Sequence, residues 1–303
     1  MSSAFDTILE MERGYSILLS FGEDGRKLKR KMRITGFICR VLLFFIFNPV
    51  FLVRAHFFPN VWNRRKATAV KVARLFFPFR SEGYKMTPTQ NGQIFIINHP
   101  TLNDPICALL YALEIYPDRE IIIPVNIPWF ENVCSYRSKL LNIGINLVPI
   151  LSPETAKRLG SNDNVSRVQT AFMRNYITEF TNTLSRGGFA VVAQQATRRR
   201  YLFSDYAQSV SGDGILSTIS LIISGIRRAK LSDRTYFTPI GVVSHTVNAD
   251  PKLNLFRKYT LTVGEPILAS ELIAVKNKSR RPADLHMLHR LMEVLPAEYH
   301  FEN

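Results

Sequence analysis

The sequence predicts an α/β fold with a mostly parallel sheet flanked by helices, and two observations carry this prediction. Short apolar runs rich in β-branched residues alternate with longer segments of helical periodicity, which is typical of strand–helix–strand units. The chain is 303 residues long and 46% hydrophobic, enough to bury a sizeable core. In such a sheet the functional groups are expected where the parallel strands end.

The first half of the α/β region contains three strands and one helix. QIFIIN (93–98) is an apolar run of the kind that forms a strand buried on both faces. DPICALLYAL (104–113) predicts a helix with Asp104 at its N-cap. The apolar, β-branched runs EIIIPV (120–125) and GINLVPI (144–150) predict two more strands.

The second half continues the alternation. A long pattern of apolar residues at helical spacing precedes a short apolar run, and the same change of period recurs towards the end of the chain. The predicted elements are helix 165–184, strand 189–194, helix 215–228, strands 236–245 and 259–267, and helix 283–292.

The positive charge of the chain is concentrated in one segment. The formal net charge is +15, and residues 26–85 contain 15 Lys and Arg against one acid, Glu82. The rest of the chain holds 24 basic and 23 acidic residues, the balance of an ordinary soluble domain. A local basic field predicts a polyanionic partner, either nucleic acid or the anionic face of a membrane.

An apolar run within this segment favours the membrane. ITGFICRVLLFFIFNPVFLV (34–53) is apolar apart from Arg40. Its uncharged part, 41–53, would span roughly 20 Å as a helix, against a hydrocarbon core of roughly 30 Å. A second stretch, 63–79, has the pattern of an interfacial amphipathic helix. We therefore expect a two-helix element in one leaflet; a buried helix followed by a solvated basic one, and a full span, are the alternatives.

His99 and Asp104 are the candidate catalytic residues. They lie in FIINHPTLNDP (95–105), where the strand ends in Asn98 and His99. A histidine can accept a proton near neutral pH, and a carboxylate can orient the ring and stabilise the imidazolium. Because no Gly-x-Ser-x-Gly elbow offers a nucleophile, the pair suits activation of a substrate hydroxyl. The alternative is that Asp104 only caps its helix and His99 completes a turn.

Five stretches follow one another in a recognisable order. They are INHPTLND (97–104), IPWFENVCSYRSKLLNIGINLV (127–148), GGFAVVAQQATRR (187–199), YFTPIGVV (236–243) and LTVGEPI (261–267). In order and rough spacing they resemble the motifs of the glycerolipid acyltransferase family, which includes the lysophosphatidic acid (1-acylglycerol-3-phosphate) acyltransferases. The first stretch is similar to the His-x4-Asp motif of that family. The resemblance covers about 90–270.

The resemblance implies transfer of a fatty acyl group from a thioester of coenzyme A or acyl carrier protein to a lysophospholipid-type hydroxyl. His99 would remove the hydroxyl proton while Asp104 holds the imidazole. The family default for the acceptor is lysophosphatidic acid, and Arg198 would bind its phosphate. The thioester is a cosubstrate, and neither a cofactor nor a metal site is predicted. The implied substrate-binding residues are Asn98, Gln195, Thr197 and Arg198.

Two departures from the family pattern leave the acceptor open. Gln195 and Ala196 stand where the family usually has Glu and Gly, and Pro149 and Ile150 stand where the second block often ends in an arginine. The family uses the missing Glu and Arg around the acceptor. An acceptor with another headgroup, and a catalytically degenerate lipid-binding member of the same fold, are therefore alternatives.

The sequence thus predicts three regions and a membrane location. The regions are a basic N-terminal leader (1–33), a membrane-associating two-helix element (34–85) and an acyltransferase domain (86–303). Cations on both sides of the apolar run favour the cytoplasmic leaflet. The predicted partners are anionic membrane lipids and acyl-CoA or acyl carrier protein, and not nucleic acid. No feature of the sequence predicts an oligomeric state.

Overall fold

The computed structural model describes most of the predicted α/β region and part of the N-terminal region. The described residues are 4–33, 70–71, 73–86, 91–99, 101, 103–142, 144–160, 163–193, 218–244, 256–276 and 282–300. The predicted helix at 34–53, residues 63–69 and 72 of the predicted helix 63–79, and Gln195, Thr197 and Arg198 lie outside them. Within the described part of the chain, no helix combines the length and the apolarity needed to cross a bilayer.

The described residues contain eight strands. They are β1 (Phe79–Gly83), β2 (Gly92–Ile97), β3 (Ile121–Asn126), β4 (Ile145–Ile150), β5 (Phe189–Ala193), β6 (Thr235–Ser244), β7 (Tyr259–Val263) and β8 (Ile267–Leu268).

Nine α-helices have both ends among the described residues. They are α1 (Ala4–Glu12), α2 (Asp104–Ile115), α3 (Ile127–Val133), α4 (Arg137–Leu141), α5 (Pro153–Arg158), α6 (Asp163–Ser185), α7 (Thr218–Arg228), α8 (Ala269–Lys276) and α9 (Pro282–Glu293). Residues 22–33 and 73–76 are also helical. Short 3-10 helices occupy Ile17–Phe21, Cys134–Tyr136, Ser232–Arg234 and Ala297–Tyr299.

Every strand and helix predicted after residue 90 is present within a few residues of its predicted ends, with one correction. The predicted strand 259–267 is two strands, β7 and β8, which pair with different parts of β6. Gly264 separates them, and its N–H bonds Pro239 O at 2.9 Å. Pro266 then lacks the N–H that a continuing strand would need.

Strand β1 is an element that the sequence does not predict. It lies at the end of the predicted membrane-associating element 34–85, whose predicted helices are 34–53 and 63–79, and it pairs in parallel with β7. Only Phe79 is buried and the next four residues are exposed, so the segment shows no apolar alternation. Short polar strands of this kind are common at the edge of a sheet, and β1 is the edge strand next to β7.

The chain divides into two compact units. The first combines Met1–Arg65 with Glu120–Phe180, and the second combines Lys66–Arg119 with Thr181–Asn303. In the first unit, β3 and β4 pair in parallel from Ile121↔Ile145 to Asn126↔Ile150. The N-terminal residues belong to the core of this unit, in which buried side chains of α1 and the following 3-10 helix join those of α3 and α6.

The second unit contains a mixed sheet with strand order β1–β7–β6–β2–β5. β2 is parallel to both β5 and β6, while β7 and β8 are antiparallel to β6. Helix α2 packs against β2, β5 and β6. Aromatic rings fill the space between them, with the Phe95 ring centroid 6.4 Å from that of Tyr111 and 6.1 Å from that of Phe189. An α/β fold with a mostly parallel sheet flanked by helices, as predicted, is confirmed.

Candidate active site

Three strands of the second unit build the edge of the sheet at which His99 lies. β2 and β6 run in the same direction, so their carboxyl ends point to the same edge. β7 runs against β6, and its first residue, Tyr259, pairs with the last residue of β6, Ser244. The residues that follow β2 and the residue that begins β7 are therefore available to one site.

Asn98 continues the pairing of β2 with β6 through its side chain. Its Nδ2 donates to Val242 O at 2.8 Å, and its Oδ1 accepts from Val242 N at 2.6 Å. The Asn98 side chain is buried, so these two bonds satisfy the backbone N–H and C=O of Val242, which have no access to water. The contact fixes the direction in which the chain leaves β2 and enters the turn with His99. A contact of Asn98 with substrate stays a prediction.

His99 and Asp104 face each other across this turn. His99 Nδ1 lies 3.7 Å from Asp104 Oδ2, and the side chains are 16% and 1% exposed. The distance is that of an ion pair and exceeds a hydrogen bond. His99 Nδ1 is buried and has no hydrogen-bond partner among the described residues, so the carboxylate is its polar neighbour. The exposed part of the side chain lies away from Nδ1, where a substrate hydroxyl could approach the ring.

The Asp104 carboxylate is held by the turn that connects it to His99. The Thr101 N–H donates to Oδ2, and the Thr101 hydroxyl donates to Oδ1 at 2.9 Å. Both carboxylate oxygens therefore have a donor, and Oδ2 also faces the imidazole. A carboxylate fixed in this way can orient a histidine ring.

The local structure corrects the predicted cap of helix α2. The sequence places Asp104 at the N-cap, whereas the N-cap is Asn103 and Asp104 is the first helical residue. The physical reason is that the Asp104 carboxylate accepts bonds from Thr101, which precedes the helix, rather than from the N–H groups of the first turn. The alternative that Asp104 only caps its helix is thereby weakened, because Asp104 instead bonds the turn that holds His99.

Burial makes the Asp104 carboxylate more basic. Asp104 is wholly buried, and its burial raises the pKa of the carboxyl above the ordinary value of 3.8. His99 and the two donors of Thr101 act in the opposite direction without cancelling this effect. The hydrogen bonds from Thr101 therefore help to keep the carboxylate ionised, which is the form that can accept the imidazole N–H and stabilise an imidazolium.

Two residues of the site were not predicted. Thr101 lies within the His-x4-Asp stretch, and a hydroxyl three residues before an aspartate at a helix start is the sequence signal that could have identified it. Tyr259 lies 3.3 Å from it, measured from its OH to Thr101 Oγ1. No local pattern indicates Tyr259, because it is 158 residues away in sequence.

A cavity of about 410 Å³ lies at the other end of the sheet in the same unit. It is lined near the start of β2 by Asn91 and Gly92, and also by Arg119, Arg186 and Arg234. His99 and Asp104 do not line it. Its arginines are therefore not part of the site formed by His99 and Asp104.

Comparison with known proteins finds a similarity to a solved structure and no match to a protein-family model or a curated protein. Among solved structures, the chain is similar to the crystal structure of the 1-acyl-sn-glycerophosphate (LPA) acyltransferase PlsC from Thermotoga maritima. The sequence identity is 14% and the TM-score is 0.48, and the match covers 89% of this chain and 96% of that chain. At 14% identity, the functional residues of this chain have to be judged from its own site.

Proposed function

We propose that this protein is a membrane-associated acyltransferase. It moves a fatty acyl group from acyl-CoA or acyl carrier protein to the hydroxyl of a lysophospholipid-type acceptor. His99 is the general base and Asp104 orients it.

The observation that carries the proposal is the buried carboxylate that faces His99 Nδ1. A buried carboxylate costs free energy unless its oxygens are hydrogen-bonded, and here Thr101 provides two donors. The imidazole occupies the remaining direction around Oδ2, at 3.7 Å. The gap can close to hydrogen-bond distance when substrate binds, since catalytic hydrogen bonds are often long in the free enzyme.

The pair can support acyl transfer without a protein nucleophile. The acceptor O–H transfers its proton to His99 Nε2 as its oxygen attacks the thioester carbonyl, and the charge passes to the carbonyl oxygen. The Asp104 carboxylate stabilises the imidazolium that forms. When the oxyanion collapses, the carbon–sulfur bond breaks and the imidazolium returns its proton to the thiolate. The products are an ester and a free thiol.

The acceptor follows from the sequence resemblance. Thr197 and Arg198 match a Thr-Arg pair of the acyltransferase family, and Arg198 would bind a phosphate or another acidic headgroup. Gln195 in place of the usual glutamate leaves the headgroup open. Lysophosphatidic acid is the first acceptor to test, and lysophospholipids with other headgroups are the second.

Membrane association has support from both charge and exposed apolar surface. Leu75 and Phe76 lie within the predicted amphipathic helix 63–79, and they are 69% and 40% exposed. Lys71 is exposed and Arg74 half-buried close by in sequence, so apolar and cationic groups occur together. Such a combination suits the anionic, cytoplasmic face of a membrane.

The proposal is tested by assaying the purified full chain on liposomes that contain anionic lipid. Acyl-CoA and acyl carrier protein thioesters are offered in turn with lysophosphatidic acid and other lysophospholipids, and the acylated lipid is quantified. Turnover is expected with at least one pair, and His99→Ala is expected to lower it by about 10²–10⁴-fold. His289→Ala, which changes an exposed histidine of helix α9, is the matched control and keeps wild-type turnover.

Two outcomes would contradict the proposal. Turnover that is the same in wild type and His99→Ala would remove the general base from the mechanism. No turnover with any donor, together with liposome binding that His99→Ala leaves unchanged, would favour the catalytically degenerate lipid-binding alternative.

A further inference from the structure

A chain of buried hydroxyl groups leads away from Asp104 to strand β7. The Thr101 hydroxyl donates to Asp104 Oδ1 at 2.9 Å, and on its other side it lies 3.3 Å from the hydroxyl of Tyr259. Thr101, Tyr259 and Asp104 are all buried. No sequence motif includes Tyr259.

The direction of each hydrogen bond in this chain can be assigned by counting protons. The Thr101 hydroxyl has one proton and three polar neighbours, which are Asp104 Oδ1, the Tyr259 hydroxyl and Asn103 N at 3.2 Å. An ionised carboxylate can only accept, and a backbone N–H can only donate. The Thr101 proton therefore goes to Asp104. It follows that the Tyr259 hydroxyl donates to Thr101.

We propose that Tyr259 is a positioning residue for the His99–Asp104 pair. By donating to Thr101 Oγ1, its phenol orients the threonine proton towards the Asp104 carboxylate and polarises the hydroxyl that donates it. This role rests on the proposed function, since it concerns the same pair.

The setting of Tyr259 suits this role. Its ring is buried at the start of β7, beside the carboxyl end of β6. Burial raises the pKa of the Tyr259 phenol, so the group stays in the O–H form that can donate. The other ionisable groups that act on it are Asp104, Cys107 and Arg257. Burial raises the pKa of the Cys107 thiol to about 12, so this neighbour stays neutral at physiological pH.

A chain of polarised donors has a defined effect on Asp104. Hydrogen bonds from Thr101 favour the ionised carboxylate and so offset part of the effect of burial. Losing the Tyr259 donor weakens the Thr101 donor, because hydrogen bonds in a chain strengthen one another. The carboxylate then becomes more basic, and the coupled His99–Asp104 pair loses its last proton at higher pH.

Tyr259→Phe is the direct test, because it removes the hydroxyl and keeps the buried ring. The expected result is a kcat/KM about two- to tenfold lower than in wild type. The acidic limb of the pH profile of kcat/KM should also move to higher pH, by about 0.3 to 1 unit. Thr101→Val should act in the same direction and more strongly, by about ten- to hundredfold in kcat/KM, while Thr101→Ser keeps the hydroxyl and should stay within about twofold of wild type.

The order of action is tested by combining the variants. If Tyr259 acts through Thr101, then Tyr259→Phe changes neither kcat/KM nor the acidic limb when Thr101 is already Val. Tyr176→Phe is the matched control. It removes another buried tyrosine hydroxyl, one with no hydrogen-bond partner among the described residues, and should leave the pH profile unchanged.

The outcomes separate this inference from the proposed function. Absence of turnover in wild type contradicts the proposed function, and NMR titration of the His99 ring nitrogens then measures the same shift in Tyr259→Phe without any assay of activity. Turnover in wild type with an unshifted acidic limb in Tyr259→Phe overturns the positioning role, even if the variant is less stable or less active. Full additivity of Tyr259→Phe and Thr101→Val also overturns it.

Discussion

The two ends of strand β2 differ in how their polar groups are held. At the carboxyl end, Asp104 is wholly buried, receives two bonds from Thr101 and faces His99. At the amino end, the arginines around the cavity include Arg186 and Arg234, which are both exposed. One end therefore has a buried carboxylate in a fixed setting, and the other has several charges at the surface.

This difference shows why a concentration of positive charge is a poor guide to the position of the proposed catalytic residues. Exposed cations are hydrated and screened, so they contribute a diffuse field. A buried carboxylate keeps its orientation and has its basicity set by its neighbours. The proposed function accordingly places catalysis at the carboxyl end of β2, where parallel strands of an α/β sheet place functional groups.

The largest effect expected from this comparison is the loss of activity in Asp104→Asn. An amide can still fill the space and bond Thr101, but it cannot stabilise an imidazolium by charge. We expect turnover to fall by about 10²–10⁴-fold with the protein still folded. Acylation kinetics and circular dichroism of the same preparation measure both quantities. Wild-type turnover in a folded Asp104→Asn would mean that the carboxyl end of β2 is only structural.

Asn98→Ala should have the next largest effect, this time on stability. The change leaves the buried N–H and C=O of Val242 without their partners. We expect the free energy of unfolding in urea to fall by about 2–5 kcal/mol. Asn132→Ala is the matched control, because Asn132 makes a single, half-buried bond, from Nδ2 to Pro128 O at 2.8 Å. An equal loss in the two variants would show that the Asn98 contact adds nothing beyond an ordinary hydrogen bond.

The parts of this site that the sequence predicts are those close together along the chain. His99 and Asp104 are five residues apart, and the apolar run before them shows that a strand ends there. Thr101 falls in the same turn. Local spacing and residue type are therefore sufficient to predict the pair, although not the direction in which the Asp104 carboxylate bonds.

The parts that the sequence does not predict depend on long-range pairing. Asn98 bonds Val242 across 144 residues, and Thr101 meets Tyr259 across 158. The apolar pattern of β7 identifies a strand but not its direction, and only its antiparallel direction brings Tyr259 to the edge with His99. Strand β1 was missed for a different reason, since a polar edge strand has no apolar period.

A smaller effect is expected in the pH dependence of stability. Because burial raises the pKa of Asp104 in the folded protein, the folded state binds the proton more tightly than the unfolded state does. Stability is therefore lost as pH rises from the ordinary carboxyl value of 3.8 through the folded value. As the pH rises through this range, the melting temperature of wild type should fall relative to that of Asp104→Asn, which has no carboxyl group at this position to titrate. This difference in melting temperature should grow in a His99→Ala background, because the imidazole that lowers the pKa of Asp104 is then absent. A difference that stays constant across pH would contradict a raised pKa of Asp104 in the folded protein.

The smallest effect is expected at the amino end of β2. Strand β2 has six residues, so its two ends are about 20 Å apart. This distance exceeds the length of roughly 8–10 Å over which salt screens electrostatic interactions at physiological ionic strength. Arg234→Gln and Arg119→Gln should therefore leave kcat/KM within about twofold of wild type. They should differ in stability, since Arg119 donates to Asn91 O at 2.9 Å and lies over the Tyr116 ring, whereas Arg234 is exposed. Thermal unfolding at equal salt measures this difference, expected at about 1 kcal/mol for Arg119→Gln alone. A tenfold loss of kcat/KM in either variant would mean that both ends of β2 take part in the reaction. At about 20 Å, the field of an exposed arginine is too strongly screened to cause so large an effect on His99 and Asp104.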